Sequence, residues 1–191
     1  RTFTPTQGSP QNMKDRIVDP QITLKPLTEK DAEALFAIVD KNRAFLRRFL
    51  PWLDKNTAPK DSAFFIKMSE QTFKDNGAPT LGIFFKSNLV GIVGFHALDK
   101  ANRKASVGYW LDKDHCGSGI ITKATKALVS FGFNELNLNR VEIRCAVENT
   151  ASQKVAKKLG FQLEGTLRQA EFLYDIYVDQ FVYAMIKADW P

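Results

Sequence analysis

From Gln21 the run Ile22-Thr23-Leu24-Lys25-Pro26-Leu27 alternates apolar and polar positions as a strand does, and Thr28-Glu29-Lys30-Asp31 has the spacing of a helix-capping start. Ala32, Leu35, Phe36 and Val39 then recur at helical spacing. The pattern predicts a short second helix over 42–49, stopped before Pro51, and a third from about Ser62 to Asp75, stopped at Asn76-Gly77. Leu81–Phe85 and Leu89–Leu98 read as the two strands of a hairpin around Lys86-Ser87-Asn88, with a third strand over Ala105–Leu111. Ile121, Ala124, Leu128 and Phe131 return to helical spacing. Val141, Ile143 and Cys145 alternate as a strand and lead into a helix ended by Gly160, and strands over Phe161–Phe172 and Ile176–Ile186 close the chain. No repeat interrupts this order, so residues 13–191 are expected to form one α/β domain around a mixed sheet. Residues 1–12, RTFTPTQGSPQN, lack any apolar period and read as a flexible arm or an appended remnant before a start at Met13.

Composition narrows the class. At 191 residues with 44% hydrophobic and 25% charged content, the chain matches a globular domain and excludes disordered or collagen-like classes. Apolar runs such as Leu89–Phe95 fall well short of the ~20 residues of a membrane helix, so a cytoplasmic protein with no membrane partner is expected. Two cysteines, Cys116 and Cys145, make no disulfide framework, and no CxxC or HExxH spacing is present, so no metal site is expected. The net charge of +6 suits an anionic ligand, but the basic residues are scattered and no nucleic-acid motif accompanies them. No direct nucleic-acid partner is expected.

Candidate chemistry begins where the third hairpin strand feeds a helix through Asp112-Lys113-Asp114-His115-Cys116-Gly117-Ser118-Gly119-Ile120. Gly117 and Gly119 let backbone N–H groups approach a ligand, and a helix start suits phosphate. The alternative is a tight strand-to-helix connection. Thr122 stands where a dinucleotide fingerprint needs its third glycine, and the P-loop spacing is absent, so another anionic cofactor is indicated. A second signal is Val147-Glu148-Asn149-Thr150-Ala151-Ser152: Asn149 can cap the next helix or bind an amide-bearing ligand arm, and Ser152 projects from the first turn.

The segments GYWLDKDHCGSGIITKA, NRVEIRCAVENTASQKVAKKLGF and LEGTLRQAEF, in this order and spacing, resemble the GNAT superfamily of N-acetyltransferases, in its ribosomal-protein N-terminal (serine/alanine) branch. The resemblance covers about Ile22 to Trp190. It implies a mixed, mostly antiparallel sheet with a splayed central strand pair, and acetyl-CoA as co-substrate. Trp110, Leu111, His115, Cys116, Gly117, Ser118, Gly119 and Ile120 are then expected to bind the cofactor's pyrophosphate and pantetheine, together with Asn149 and Ser152. Two departures stand out. Asp114 occupies a place where the family pattern has Gln or Arg, and Ala156 stands where many members carry the tyrosine that protonates the leaving thiolate. Ser152 is its expected substitute. Acetyl transfer also needs a group to take a proton from the attacking ammonium; Glu171 is the candidate and Glu164 the runner-up, against the alternative that Glu171 is a solvent-facing strand residue. His115 is expected to touch the ligand's edge or to be an incidental loop residue rather than do chemistry, and His96 to be a strand residue without a role. The implied acceptor is a primary amine, foremost a protein N-terminus, with an antibiotic or polyamine as the small-molecule alternative and a non-catalytic acetyl-CoA sensor as the other. A homodimer through the aromatics Phe172, Tyr174, Tyr177, Phe181 and Tyr183 is a further expectation.

Overall fold

In the computed structural model, which describes residues 14–191, the alternating segments become eight strands of one sheet. They are β1 (Arg16–Asp19), β2 (Ile22–Pro26), β3 (Thr80–Phe85), β4 (Asn88–Asp99), β5 (Lys104–Leu111), β6 (Arg140–Ala146), β7 (Gln162–Leu173) and β8 (Ile176–Ile186). The helices are α1 (Ala32–Lys41), α2 (Arg43–Leu46), α3 (Pro59–Asn76), α4 (Ile120–Asn134) and α5 (Thr150–Lys158). The arm expected over residues 1–12 lies outside the described residues.

The strand order is β1-β2-β3-β4-β5-β6-β8-β7, and every neighbouring pair is antiparallel except β5 and β6. Those two run parallel for only three pairs, Lys104↔Arg140, Ala105↔Val141 and Ser106↔Glu142. Beyond them β5 stays paired to β4 as far as Leu111↔Gly91, and β6 stays paired to β8 as far as Ala146↔Gln180. The sheet therefore splits between β5 and β6, leaving one backbone edge of Val107–Leu111 without a strand partner.

Helices cover the two faces unequally. On one face α4 and α5 bury the main core, where Leu128, Val129, Ala124 and Ala156 are fully enclosed with Val93, Val141 and Ile143 of the sheet. On the other, α1 and α3 pack Leu35 and Ile66 against Ile92. There β6 carries the ion-paired row Arg140–Glu142–Arg144.

Three differences from the sequence pattern have local causes. The strand β1 was not expected, because its apolar Ile17 faces solvent while Arg16 turns inward, with its guanidinium 3.8 Å from the centre of the Phe131 ring and paired to Glu135. Helix α3 starts at Pro59 rather than Ser62, since the Asp61 carboxylate reaches back to the N–H groups of Thr57 (2.8 Å) and Ala58 (3.0 Å) and Pro59 suits the first turn. Helix α2 is shorter than its pattern: Arg43 donates to the carbonyls of Leu53 (2.7 Å) and Asn56 (2.8 Å), which folds the chain back and fixes Trp52 beside the sheet. The aromatics of the β7–β8 hairpin also divide. Phe172 and Tyr177 are exposed, but Tyr183 is core, and Tyr174 stacks on Arg47 and donates its hydroxyl to the Leu50 carbonyl.

Leu128→Ala should remove about 2–5 kcal/mol of stability by opening a cavity under the sheet. A lower urea midpoint at unchanged m-value is the expected result.

Candidate active site

The loop from Asp112 to Gly119 is braced from below by the end of α1. The Asp112 side chain is buried and receives the Lys41 ammonium at 3.1 Å, while His115 Nδ1 lies 3.1 Å from the same carboxylate. Buried Asn42 accepts from the Lys113 N–H at 3.0 Å, and the Ser118 hydroxyl donates to the His115 carbonyl at 2.6 Å. Burial pushes the Asp112 carboxyl up, but the hydrogen-bonding Asn42 amide and Lys41 ammonium outweigh it, and the net displacement is downward. Asp114, the acid in an unexpected place, pairs with the same Lys41 at 2.7 Å. Its charge is therefore offset within the loop rather than left facing an anion.

Above this brace the loop is open. Gly117 and Gly119 sit at φ +80° and +82°, a region that side chains with a Cβ rarely adopt, and a Cβ on either would meet nothing within 4 Å. The positive φ accounts for glycine at both positions, and the open space above them leaves this backbone cradle accessible to a ligand. Gly119 is also the N-cap of α4, whose start has no side-chain cap and no acid in its first turn. Its N–H groups and dipole suit a phosphate or pyrophosphate. From the cradle an extended arm can run along the unpartnered edge of Val107–Leu111. Leu111 itself is buried in the core, so it can face such an arm through its backbone only, whereas Trp110 points to the opposite face, beside Trp52.

The Cys116 sulfur donates to the Asp112 carbonyl at 3.6 Å, and burial and then the charges of Asp112 and Asp114 push its thiol up; burial does the same for Cys145. Neither is poised as a nucleophile.

Across the split, Asn149 caps α5 by accepting from the Ser152 N–H at 3.1 Å. The cap directs Ser152 toward β5, where its hydroxyl lies 2.9 Å from the Tyr109 hydroxyl. Tyr109 is held protonated by burial, which raises its phenol far more than the Ser152 hydrogen bond lowers it. Ala156 is fully buried on the same helix, so the hydroxyls that meet at the split are those of Ser152 and Tyr109. Sequence periodicity puts Tyr109 on a strand but gives no sign of Ser152 as its partner, since the contact joins residues 43 apart.

On the α1–α3 face lies a cavity of about 680 Å³. It is floored by β4 and β5 and lined by Trp52, Phe64, Phe65 and Trp110, with His96 on its wall. Burial and then the Arg144 charge lower the His96 imidazole, which favours its neutral form. Glu171 does not line this cavity. It sits on β7, half-buried, accepting from Gln180 at 3.1 Å, and the register through Gln180 and Ala146 gives it the cavity's face of the sheet. Three residues on, the Tyr174–Leu50 hydrogen bond ties the hairpin tip to the cavity rim. Glu164 is taken up differently: Arg140 grips it through two hydrogen bonds of 2.6 and 2.8 Å and lowers its carboxyl, so it is bound as an ion-pair partner.

Comparison with known proteins is consistent with this geometry. A family model described as an acetyltransferase (GNAT) domain matches residues 21–162. The ribosomal-protein-serine acetyltransferase of Escherichia coli (strain K12) is 34% identical over 169 residues, covering 88% of this chain and 94% of that protein. Among solved structures, the ribosomal α-N-protein acetyltransferase RimL in complex with coenzyme A superposes with a TM-score of 0.88 at 31% identity, over 92% of this chain and all of that one (100%). The microcin self-immunity acetyltransferase MccE, solved with acetyl-CoA and AMP, does so at 0.84 and 32%, over 88% and 94%.

Two outcomes test the loop. Gly119→Val places a branched side chain at positive φ and into the cradle, and should weaken coenzyme A binding roughly tenfold or more in calorimetry while the protein stays folded. Asp112 has a depressed pKa in the folded state, so its stabilisation is complete above the unfolded value of about 3.9 and is lost as the pH falls through the lower folded value. Asp112→Asn should therefore flatten the acid limb of the Tm–pH curve below about pH 4.

Proposed function

Because the chain belongs to the GNAT acetyltransferase family, and is thereby an acetyl-CoA-dependent N-acetyltransferase, we propose that its acceptor is the N-terminal α-amine of a protein, attacked without an acyl-enzyme. The observation that carries the reading is the Tyr109–Ser152 hydroxyl pair at the split of the sheet, on the strand whose end feeds the loop into the open α4 N-terminus. A cofactor sensor would need the cradle but not two coupled hydroxyls beside the reacting end. The protein acceptor draws support from the ribosomal-protein acetyltransferases to which the chain is similar. Such an acceptor fits a cytoplasmic location, and the exposed Phe172, Ile176 and Tyr177 on the hairpin offer an apolar surface for a homodimer.

Acetyl-CoA fits the site: its pyrophosphate would lie against His115–Ile120, with Asn149 and Ser152 facing its pantetheine arm. When bound, it supplies an acetyl thioester of which the thiolate is the leaving group. The Ser152 hydroxyl, held in place by the Tyr109 hydroxyl that burial keeps protonated, can deliver a proton to that sulfur, and the proton that the ammonium gives up restores the balance through solvent. The amine arrives as an ammonium, since a free α-amine has a pKa near ~8, and it must lose a proton before its lone pair can attack. Glu171, on the cavity's face and held by Gln180, takes that proton directly or through a water.

Glu171→Gln keeps the side chain's size and should cut turnover by roughly 10²-fold, with part of the rate recovered as the pH rises and free amine accumulates. Acetyl-CoA affinity should stay at the parent value. Full activity at neutral pH would remove Glu171 from the reaction. Ser152→Ala should lower the single-turnover rate, and an unchanged rate would exclude Ser152 as the proton donor.

A further inference from the structure

The cavity over β4 and β5 is far larger than an amine needs. Its floor contains Gly94 directly opposite Gly108, a cross-strand pair of glycines in the middle of two long strands. Glycine inside a strand weakens it and marks places where another group comes close to the backbone. A Cβ at Gly94 would meet the Pro79 carbonyl and Thr80 at 2.8–3.0 Å, so the neighbouring chain already requires glycine there, whereas one at Gly108 would meet only the His96 ring, at 3.2 and 3.3 Å, on the cavity side.

The walls are apolar. Trp52 and Trp110 stand with ring centres 6.2 Å apart and planes tilted by 52°. Helix α3 leaves Phe64 66% and Met68 46% exposed at the rim, although burial of such side chains stabilises a fold by about 25 cal/mol per Å². Charge is sparse: the one lining carboxylate among the described residues, Asp61, is already bound by the N–H groups of Thr57 and Ala58, and Lys55 stands as a cation on the same lining. A polyamine, which needs several free carboxylates, is poorly matched here.

Finally, the cavity reaches the strand that carries the hydroxyl pair, since Tyr109 is among its lining residues. Trp110 faces the cavity, and its neighbour Tyr109 faces Ser152 on the other side of the sheet. Trp52 and Trp110 touch each other and form one aromatic wall, so a group seated against that wall lies beside the strand that carries Tyr109.

We propose that this cavity seats a large apolar or aromatic side chain of the acceptor, carried on the same residue as the reacting amine. The proposal rests on the acetyl-transfer reading and narrows it: the preferred acceptor is an α-amine of a bulky apolar residue rather than of serine or alanine.

The test uses tetrapeptides identical except for Phe, Leu, Ser or Ala at the first position, with spermidine as a further amine. Thiol release from acetyl-CoA reports transfer, and the fluorescence of Trp52 and Trp110 reports occupancy without chemistry. The Phe and Leu peptides should exceed Ser and Ala in kcat/KM by about 10–200-fold, the range a hydrophobic pocket delivers. Phe64→Ala, at an exposed position that does not threaten folding, should raise KM for the Phe peptide several-fold while coenzyme A binding is unchanged. Equal or better use of Ser, Ala or spermidine would overturn the proposal and leave the transferase reading intact. A saturable fluorescence change with the Phe peptide but no thiol release with any amine would support the cavity's assignment and sink the transferase reading. Absence of both signals would overturn the assignment as well.

Discussion

Everything at this site depends on the parallel contact between β5 and β6 ending after Ser106↔Glu142. Each strand keeps its antiparallel neighbour on the far side, β4 for one and β8 for the other, so the separation costs the sheet hydrogen bonds along one seam only. The exposed edge of Val107–Leu111 must find partners, since unpaired backbone groups away from water are costly. Water or an extended amide-bearing ligand arm can satisfy them. The gap also connects two faces that an intact sheet would keep apart, and residues on alternate sides of one strand, Tyr109 and Trp110, come to serve different parts of one reaction.

Around the gap, buried Asp112 and Asn42 are satisfied by groups 71 residues away, and shorter-range hydrogen bonds fix the rest of the backbone. Asp112 and Asn42 lock the cradle onto α1, Asn149 aims Ser152, and Asp179 accepts from the Gln169 N–H at 2.8 Å where β7 bulges between Leu167 and Glu171. Buried groups of this kind are destabilising when unpaired and specify geometry when paired. The cradle is rigid beneath and empty above, which lets backbone donors meet an anion without rearrangement.

The two faces divide the labour by polarity. The face under α4 and α5 is a dense core interrupted by the Tyr109–Ser152 pair, where burial holds a phenol protonated. The opposite face is apolar under α1–α3 and charged over β6. The hairpin tip, tied by Tyr174 to Leu50, brings the carboxylate-bearing edge of the sheet back to the rim.

The local signals were enough for much of this. Alternation and helical spacing give seven of the strands and the helices that cover them, and Gly117 and Gly119 announce the cradle because positive φ is a local requirement written in residue type. What a sequence period cannot carry is any property of a pair far apart along the chain. Arg16 replacing Ile17 as the inward residue of β1, Lys41 neutralising Asp114, Arg140 taking Glu164 away from the acceptor side, and Tyr109 meeting Ser152 each depend on which elements come to lie together. The cavity is the plainest case. Gly94 and Gly108 look like ordinary weak points in two strands, and Phe64 and Met68 like a helix's apolar stripe, until register and packing place them around one space. Residue type fixes what each position can do, but distance and burial decide which of those capacities is used, and both are set only when the sheet closes and splits.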